Sequence, residues 1–221
     1  MSKHNLSQWP ISIPHKQERV KFALQFVEKE IPFWLGKVYI DEHRFRFNTK
    51  GVVSSYTGTE RTSIPHSVGV VACISQPFNK GCNLIRQVET RIDSQQYTSF
   101  LMEIVSSYPT VIPGLISIVH DKYPVHNSTK VKSWLDGQQI MSVFSYWPPA
   151  SGDLMPIETV FLDILKEFDE HETRVHSVKA LWEEIQNAFA AVTEKEDYVK
   201  NLISKIFPNL RKIAESNGEM F

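Results

Sequence analysis

Cysteine is scarce in this chain: there are two in 221 residues, Cys73 and Cys82. Two thiols make no disulfide framework and, by themselves, no four-ligand zinc site. A reducing compartment is the natural reading. Long apolar runs are missing too. No stretch approaches the roughly 20 apolar residues that span a bilayer, and the opening MSKHNLSQWP lacks the apolar core of a signal peptide. Nor is there an excess of charge. With 24 Lys+Arg against 25 Asp+Glu the net charge is -1, which excludes a histone-like DNA coat and an acidic solvating tail. Internal repeats and low-complexity blocks are absent as well. What remains is 42% hydrophobic and 22% charged, the composition of one ordinary globular domain with at most a small appendage. A soluble, intracellular protein with no membrane partner is expected.

Periodicity then sets out the elements. Residues 1–14, with Trp9, Pro10 and Pro14 among polar neighbours, read as an extended linker. From His15, Val20, Ala23, Leu24, Val27 and Ile31 recur at helical spacing, and Pro32 is expected to end that helix. Residues 37–47 alternate Phe45 and Phe47 with charge and read as a strand. Residues 48–63 are rich in Gly, Ser and Thr and read as turns or a hairpin. Residues 67–75 (SVGVVACIS) form the apolar run of a buried strand. Residues 82–88 follow as a strand after the Asn79-Lys80-Gly81 turn. A helix is expected from Asp93-Ser94, with Tyr97, Phe100, Leu101, Ile104 and Val105 as its stripe. Leu115 to Val119 reads as a strand running into His120-Asp121. A helix starts at Asn127-Ser128, a strand covers residues 140–144, and Pro156 opens a helix carrying Val160, Phe161, Ile164, Leu165 and Phe168. From about Val175, two or three helices follow, interrupted by Pro208 and ended by Gly218. Strands, then strand–helix alternation, predict a mixed α/β sheet flanked by helices.

Three acids stand out by position. Asp41 lies inside the first strand, Asp121 ends a strand, and Glu158 lies in the first turn of the Pro156 helix. Carboxylates at a strand end and a nearby helix start converge over one sheet edge, and converging carboxylates need compensation. Divalent metal is the usual kind: Mg²⁺ takes a few carboxylates plus waters and phosphate oxygens, and two ions serve phosphodiester chemistry.

The residues around these acids carry a resemblance. Tyr39-Ile40-Asp41-Glu42-His43-Arg44-Phe45 resembles the SDE-x-RF strand of the Tc/mariner superfamily of transposases. Ser67 to Ser75 resembles that family's SVMVWGAIS strand. Residues 119–128, VHDKYPVHNS, resemble QQDNDPKHTS, and residues 147–158, WPPASGDLMPIE, resemble WPPxSPDLNPIE. All four occur in the family's order, and the resemblance runs from about His15 to near the C-terminus. It implies an RNase H-like fold: a mixed five-stranded sheet flanked by helices, with extra C-terminal helices, over residues 15–221. It implies a DDE triad of Asp41, Asp121 and Glu158 that binds two Mg²⁺ or Mn²⁺ ions and carries out cut-and-paste DNA transposition. Asp41 would bridge both metals, and Asp121 and Glu158 would each complete one. The implied partners are DNA, as transposon ends and target, and a second copy of the chain as a homodimer on DNA; the implied location is the nucleus, or the cytoplasm for a domesticated protein. Between Asp121 and Glu158 lie 36 residues, a couple more than the family's Glu-bearing branch usually has; the loop Asp136-Gly137-Gln138-Gln139 is the expected place for them.

Other residues in these motifs have plainer expectations. Glu42 alternates with Asp41 and should point away from the site. Asp153 should hold the loop before Glu158 or satisfy amides at the helix start. His120 and His126 are expected to be structural or solvent-facing, with phosphate contact or the orienting of a ligand as the alternative. Trp147-Pro148-Pro149 reads as a rigid loop that positions the helix, and Cys73 as a core residue. Lys205, Arg211 and Lys212 read as a solvated helix face. Lys37, Arg44, Arg46 and Lys50 place cations around Asp41. The sequence departs from the family in four ways. No helix-turn-helix region precedes His15, so recognition of specific ends is not expected. Met155 stands where an Asn would cap the helix, a loss of about 0.5–2 kcal/mol. Gly152 replaces a Pro and loosens the same loop. Lys122-Tyr123 replace Asn-Asp after Asp121. The rival to a working transposase domain is therefore a catalytically silent relic or a domesticated factor that binds DNA or protein.

Overall fold

The computed structural model describes residues 10–56, 66–76, 82–88, 91–107, 116–138, 141–144 and 147–221. Its centre is β1 (Lys37–Phe47), with the bounds that the alternation predicts. β1 pairs antiparallel with β3 (Ser67–Ser75), which pairs antiparallel with β4 (Leu84–Val88). On its other side β1 runs parallel to β5 (Ile116–Val119), and β5 runs parallel to β6 (Met141–Val143). The order β4-β3-β1-β5-β6 is the expected mixed five-stranded sheet. A sixth, short strand, β2 (Val53–Ser55), pairs with the far end of β1. It forms a hairpin within the stretch read as turns or a hairpin, of which residues 57–65 lie outside the described residues. So do Trp9, Asn79-Lys80-Gly81, Leu115, Gln139 and Ile140.

Helices cover both faces of the sheet, so all nine residues of β3 are buried. On one face Tyr39, Phe45, Val70, Ala72 and Ile74 pack with α1 (Ile13–Phe26), α5 (Pro156–Glu170) and α6 (Val178–Thr193). On the other, Val38, Ile40, Val71 and Cys73 pack with α3 (Ser94–Ser106) and α4 (Thr129–Asp136). α3 starts where expected because Asp93 and Gln96 form a reciprocal capping box. Ser128 caps α4 through Val131 N–H. The last two helices are α7 (Tyr198–Ser204) and α8 (Ile206–Glu215), and α8 lies against α1.

Three expectations fail here, each for a local reason. The first helix ends at Phe26, and Pro32 opens a second short helix, α2 (Ile31–Leu35), instead of closing the first. A proline in the first turn sacrifices no helical hydrogen bond. The buried stripe of α1 is Arg19, Phe22, Ala23 and Phe26, while Leu24 is exposed. An aromatic stripe outcompetes the aliphatic one because Phe22 and Phe26 reach Trp34 and Phe144. Pro208 interrupts nothing: it sits in the first turn of α8, and the break lies before it at Lys205. Gly218 does end the helix. Its N–H reaches Ile213 O at 2.9 Å, and its positive φ of 86° places the chain against Lys16, where a Cβ would lie 2.4 Å from the Lys16 carbonyl oxygen.

That close crossing serves Arg19, which is wholly buried. Its guanidinium grips both oxygens of Asp153 at 2.7 and 2.6 Å. It also donates to Ala150 O at 2.7 Å, Ser151 Oγ at 2.9 Å, Gly218 O at 2.9 Å and Glu219 O at 3.1 Å. One side chain thus ties α1, the loop before α5 and the C-terminal tail. Asp153 holds the loop, as expected, and Ala150 keeps a left-handed φ of 50° within the same grip. The clamp replaces the missing cap, for Met155 makes no capping bond and is buried in the core. Arg19→Met is expected to cost about 3–5 kcal/mol in urea unfolding, because Asp153 would be left buried without its partner. Replacing both with Met and Leu should recover part of that loss; a single-variant loss below about 1 kcal/mol would refute the clamp.

Candidate active site

The register of the sheet brings the acids together. β1 and β5 run parallel with Tyr39 opposite Val119. Asp41 lies two residues beyond Tyr39, still within β1, and Asp121 two beyond Val119, just past the end of β5, so the two stand at one level along the sheet. Glu158 comes from the first turn of α5, which packs on β1. All three line one cavity of about 420 Å³, walled on its far side by Trp147, Pro148 and Pro149. Trp147 is itself fixed edge-on to Phe22 and Tyr39, so the loop is rigid, as expected.

The three carboxyls differ in state. Burial, and then the charges of Glu158, Glu42 and Asp121, push Asp41 well above the usual carboxylate range, although the Glu42 N–H donates to its Oδ1 at 2.8 Å. Burial raises Glu158 too, with the charge of Asp121 adding, while its hydrogen bond with Asp41 works the other way. Both carboxyls therefore favour the protonated form more than a free carboxyl does, and they are hydrogen-bonded to each other. The N-terminus of α5 favours a carboxylate there by only about 0.3–1 kcal/mol, and burial outweighs it. Asp121 leaves 53% of its side chain exposed. Burial would raise it, but hydrogen bonds from His126 and from the Tyr123 N–H hold it below its ordinary value.

His126 takes the less favoured of its expected roles, set against Asp121 as a residue that orients it. It is buried, with Nδ1 2.9 Å from Asp121 Oδ1 and Nε2 2.8 Å from Glu42 Oε1. Burial alone would lower its pKa; the two carboxylates raise it to about 10, so the ring is an imidazolium. The only sequence signal is its place five residues after Asp121 with Pro124 between, which suits a turn back toward the acid. Glu42 points to the opposite face from Asp41, as expected, and serves the site through this ring. His120 is structural: burial and the neighbouring His126 lower it to about 3, and the Tyr97 hydroxyl meets its Nδ1 at 2.6 Å. Of the expected cations around Asp41, Lys37 is buried between the Phe33 and Phe144 rings, 4.0 and 4.4 Å from their centroids, and is not available to a ligand.

Among the described residues, no group of three or more His, Cys, Asp or Glu side chains is arranged to enclose a metal ion. The donor set nonetheless suits a hard cation. Three carboxylates line an open cavity, and the two that burial and mutual charge push toward protonation stand where a cation would relieve the same repulsion. That is the open, oxygen-only kind of site in which Mg²⁺ keeps waters and substrate oxygens.

The family model of the DDE superfamily endonucleases matches residues 37–182, a span that contains Asp41, Asp121 and Glu158. No curated protein matches the sequence. Among solved structures, the Mos1 transposase paired-end complex with left transposon end is similar at a TM-score of 0.74 and 16% identity, over 100% of this chain and 67% of that one. The Mos1 mariner paired end complex with Mn gives 0.72 and 15%, over 100% and 68%, and the Mos1 Strand Transfer Complex 0.71 and 16%, over 100% and 67%. At such identities the likeness is one of fold, and it confirms the mixed sheet with flanking helices.

The pull of Asp41 and Glu158 toward protonation has a consequence for stability. Folded Asp41 and Glu158 hold protons more tightly than they do unfolded, so stability is present at low pH and is lost as pH rises through their raised folded values. In metal-free buffer at pH 8, Asp41→Asn is expected to melt at least about 3 °C above the wild type, the shift that about 1 kcal/mol gives a chain of this size. A calorimetric scan from pH 4 to pH 8, at settings chosen on the order of the window just described, should show the gap widening; equal melting throughout would count against the raised values.

Proposed function

The chain belongs to the DDE superfamily endonucleases, and on that premise we propose that it cuts and joins DNA phosphodiester bonds as the catalytic domain of a Tc/mariner-type transposase. The observation that carries the reading is the convergence of Asp41, Asp121 and Glu158 on one cavity, with the four family motifs around them. DNA is the substrate, as transposon end and as target, and the protein acts as a homodimer on it, in the nucleus. Asp41, Asp121 and Glu158 are the residues that would hold divalent metal, Mg²⁺ or Mn²⁺, in the complete reading as two ions. Bound metal supplies charge neutralisation at the phosphate and a more acidic water or 3′-hydroxyl.

The chain's own residues do the rest. Asp41 sits on the most firmly paired strand and fixes the level at which the scissile phosphate is met. Glu158 rides on α5, whose start is held by the Arg19 clamp. The Trp147-Pro148 wall limits water on one side. That wall and Lys122 are shared with a second cavity of about 360 Å³ that continues past Lys21 on α1. The two together form a groove from the carboxylates to α1, with a lysine at its middle and another at its end. Lys122 lies 3.7 Å from Glu18, and both side chains are more than half exposed. Such a pair is weak and yields its cation readily to a phosphate.

Nicking of supercoiled plasmid in Mn²⁺ is the test. Wild-type protein should nick, and Asp41→Asn, Asp121→Asn and Glu158→Gln should each reduce the rate by about 100-fold or more. No triad-dependent nicking would favour the silent, DNA- or protein-binding alternative. Lys122→Glu should weaken duplex binding and reduce the salt slope of log K by about one counterion.

A further inference from the structure

We propose that His126 is a positioning residue of this site, locking Asp121 so that it offers a cation a single oxygen, Oδ2. The inference rests on the metal-dependent reading above. It comes from where the hydrogen bonds go. Asp121 Oδ1 accepts the Tyr123 N–H at 2.8 Å and faces His126 Nδ1 at 2.9 Å. The same Nδ1 also lies 3.2 Å from the Asp121 carbonyl oxygen. Among the described residues no hydrogen bond reaches Oδ2, on a side chain half open to the cavity.

The histidine is itself held on every side. Its ring is stacked on His120 at 4.7 Å with 5° between planes, lies 4.3 Å from Tyr97, and meets Tyr123 edge-on at 5.7 Å. Its other nitrogen is tied to Glu42 at 2.8 Å. Glu42 in turn donates its N–H to Asp41 Oδ1. One string of contacts, Asp41–Glu42–His126–Asp121, therefore joins the acid on β1 to the acid just past β5 and engages the same oxygen, Oδ1, in each. A carboxylate so fixed binds a metal through one atom and in one direction, which is how neighbouring groups tune a ligand. A ring that only filled space would not need a carboxylate at each nitrogen.

Two isosteric variants separate these roles. Asparagine places its amide nitrogen where histidine has Nδ1 and keeps the bond to Asp121. Glutamine places its nitrogen where histidine has Nε2 and keeps only the bond to Glu42. Both remove the ring's charge, so comparing them isolates the bond. Mn²⁺ titration calorimetry on the full chain, with thermal melting alongside, is the experiment. Expected is an affinity for His126→Gln about 10- to 100-fold below that of His126→Asn, not matched by the order of their melting temperatures. Glu42→Ala, which unties the far nitrogen and leaves the ring in place, should fall between them, and it carries the test if a ring variant fails to fold. Wild-type uptake of Mn²⁺ with equal affinities in the Asn and Gln variants, or with Glu42→Ala unchanged from wild type, overturns this inference alone. A wild-type protein that takes up no Mn²⁺ overturns the metal-dependent reading and this inference with it.

Discussion

Like charge brought into one small cavity is the constraint around which this molecule is built. Asp41, Asp121 and Glu158 repel one another, and burial makes the charged forms of Asp41 and Glu158 costlier still. Without cations the fold relieves this in two ways, one on each side. Asp41 and Glu158 are both pushed toward their protonated forms and share a hydrogen bond. Beside Asp121 the His126 ring favours its charged form instead and holds Asp121 below its ordinary value. The same three residues thus present two chemical states, set by what lies behind them and not by their own identity. On the proposed function, a group that takes a cation and leaves room for substrate oxygens would gain from this arrangement. Repulsion removed by a proton is repulsion that a metal can remove instead.

Holding such a site open requires rigidity elsewhere, and Arg19 supplies it. A buried Arg–Asp pair is weak evidence for net stability, since desolvation consumes most of the attraction. Its value here is geometric. The bidentate grip on Asp153, the bond to the left-handed Ala150 and the bonds to Gly218 and Glu219 fix the loop from which α5 starts. The start of α5 determines where Glu158 lies. Loosening at Met155 and Gly152, which the sequence alone suggests, is offset by a residue more than 130 positions away in the chain. A Cβ on Gly152 would lie 3.9 Å from the Glu158 side chain, in ordinary contact, so the glycine opens no gap that Glu158 falls into.

How much of this was legible follows from the range of each interaction. β1 was readable to its last residue because alternation is local, and β3 because a strand covered on both faces must be apolar throughout. That Asp41, Asp121 and Glu158 would meet was readable because strand ends and helix starts are local features, with the four motifs singling them out among the other acids. Arg19 was hidden for the opposite reason. An arginine at the head of an aromatic stripe looks like helix surface until the partner on a remote loop is known. His126 was legible only as one of two histidines that could orient a ligand; which of the two does so depends on Glu42 across the sheet, 84 residues earlier. Pro32 and Pro208 misled because a proline that ends one helix and one that begins the next have the same letter; only the position of the break tells them apart.

The even charge balance fits a DNA-cutting domain once charge is placed and not merely counted. The carboxylate cavity is anionic at its base, and a duplex would be repelled from it without help. Lys37, the cation nearest to Asp41 along β1 on the same strand face, is sealed between two phenyl rings. Lys122 borders the carboxylate cavity and the groove beside it, and Lys21 stands farther along that groove. Separation of this kind lets phosphates be attracted along the groove while the reacting phosphate alone meets the acids, where attraction needs a divalent cation. An excess of lysine at the base would neutralise the carboxylates directly and leave nothing for metal to do. An even balance over the whole chain thus leaves room for local separation of charge, and on the proposed function the acids would need a divalent cation where they meet a phosphate.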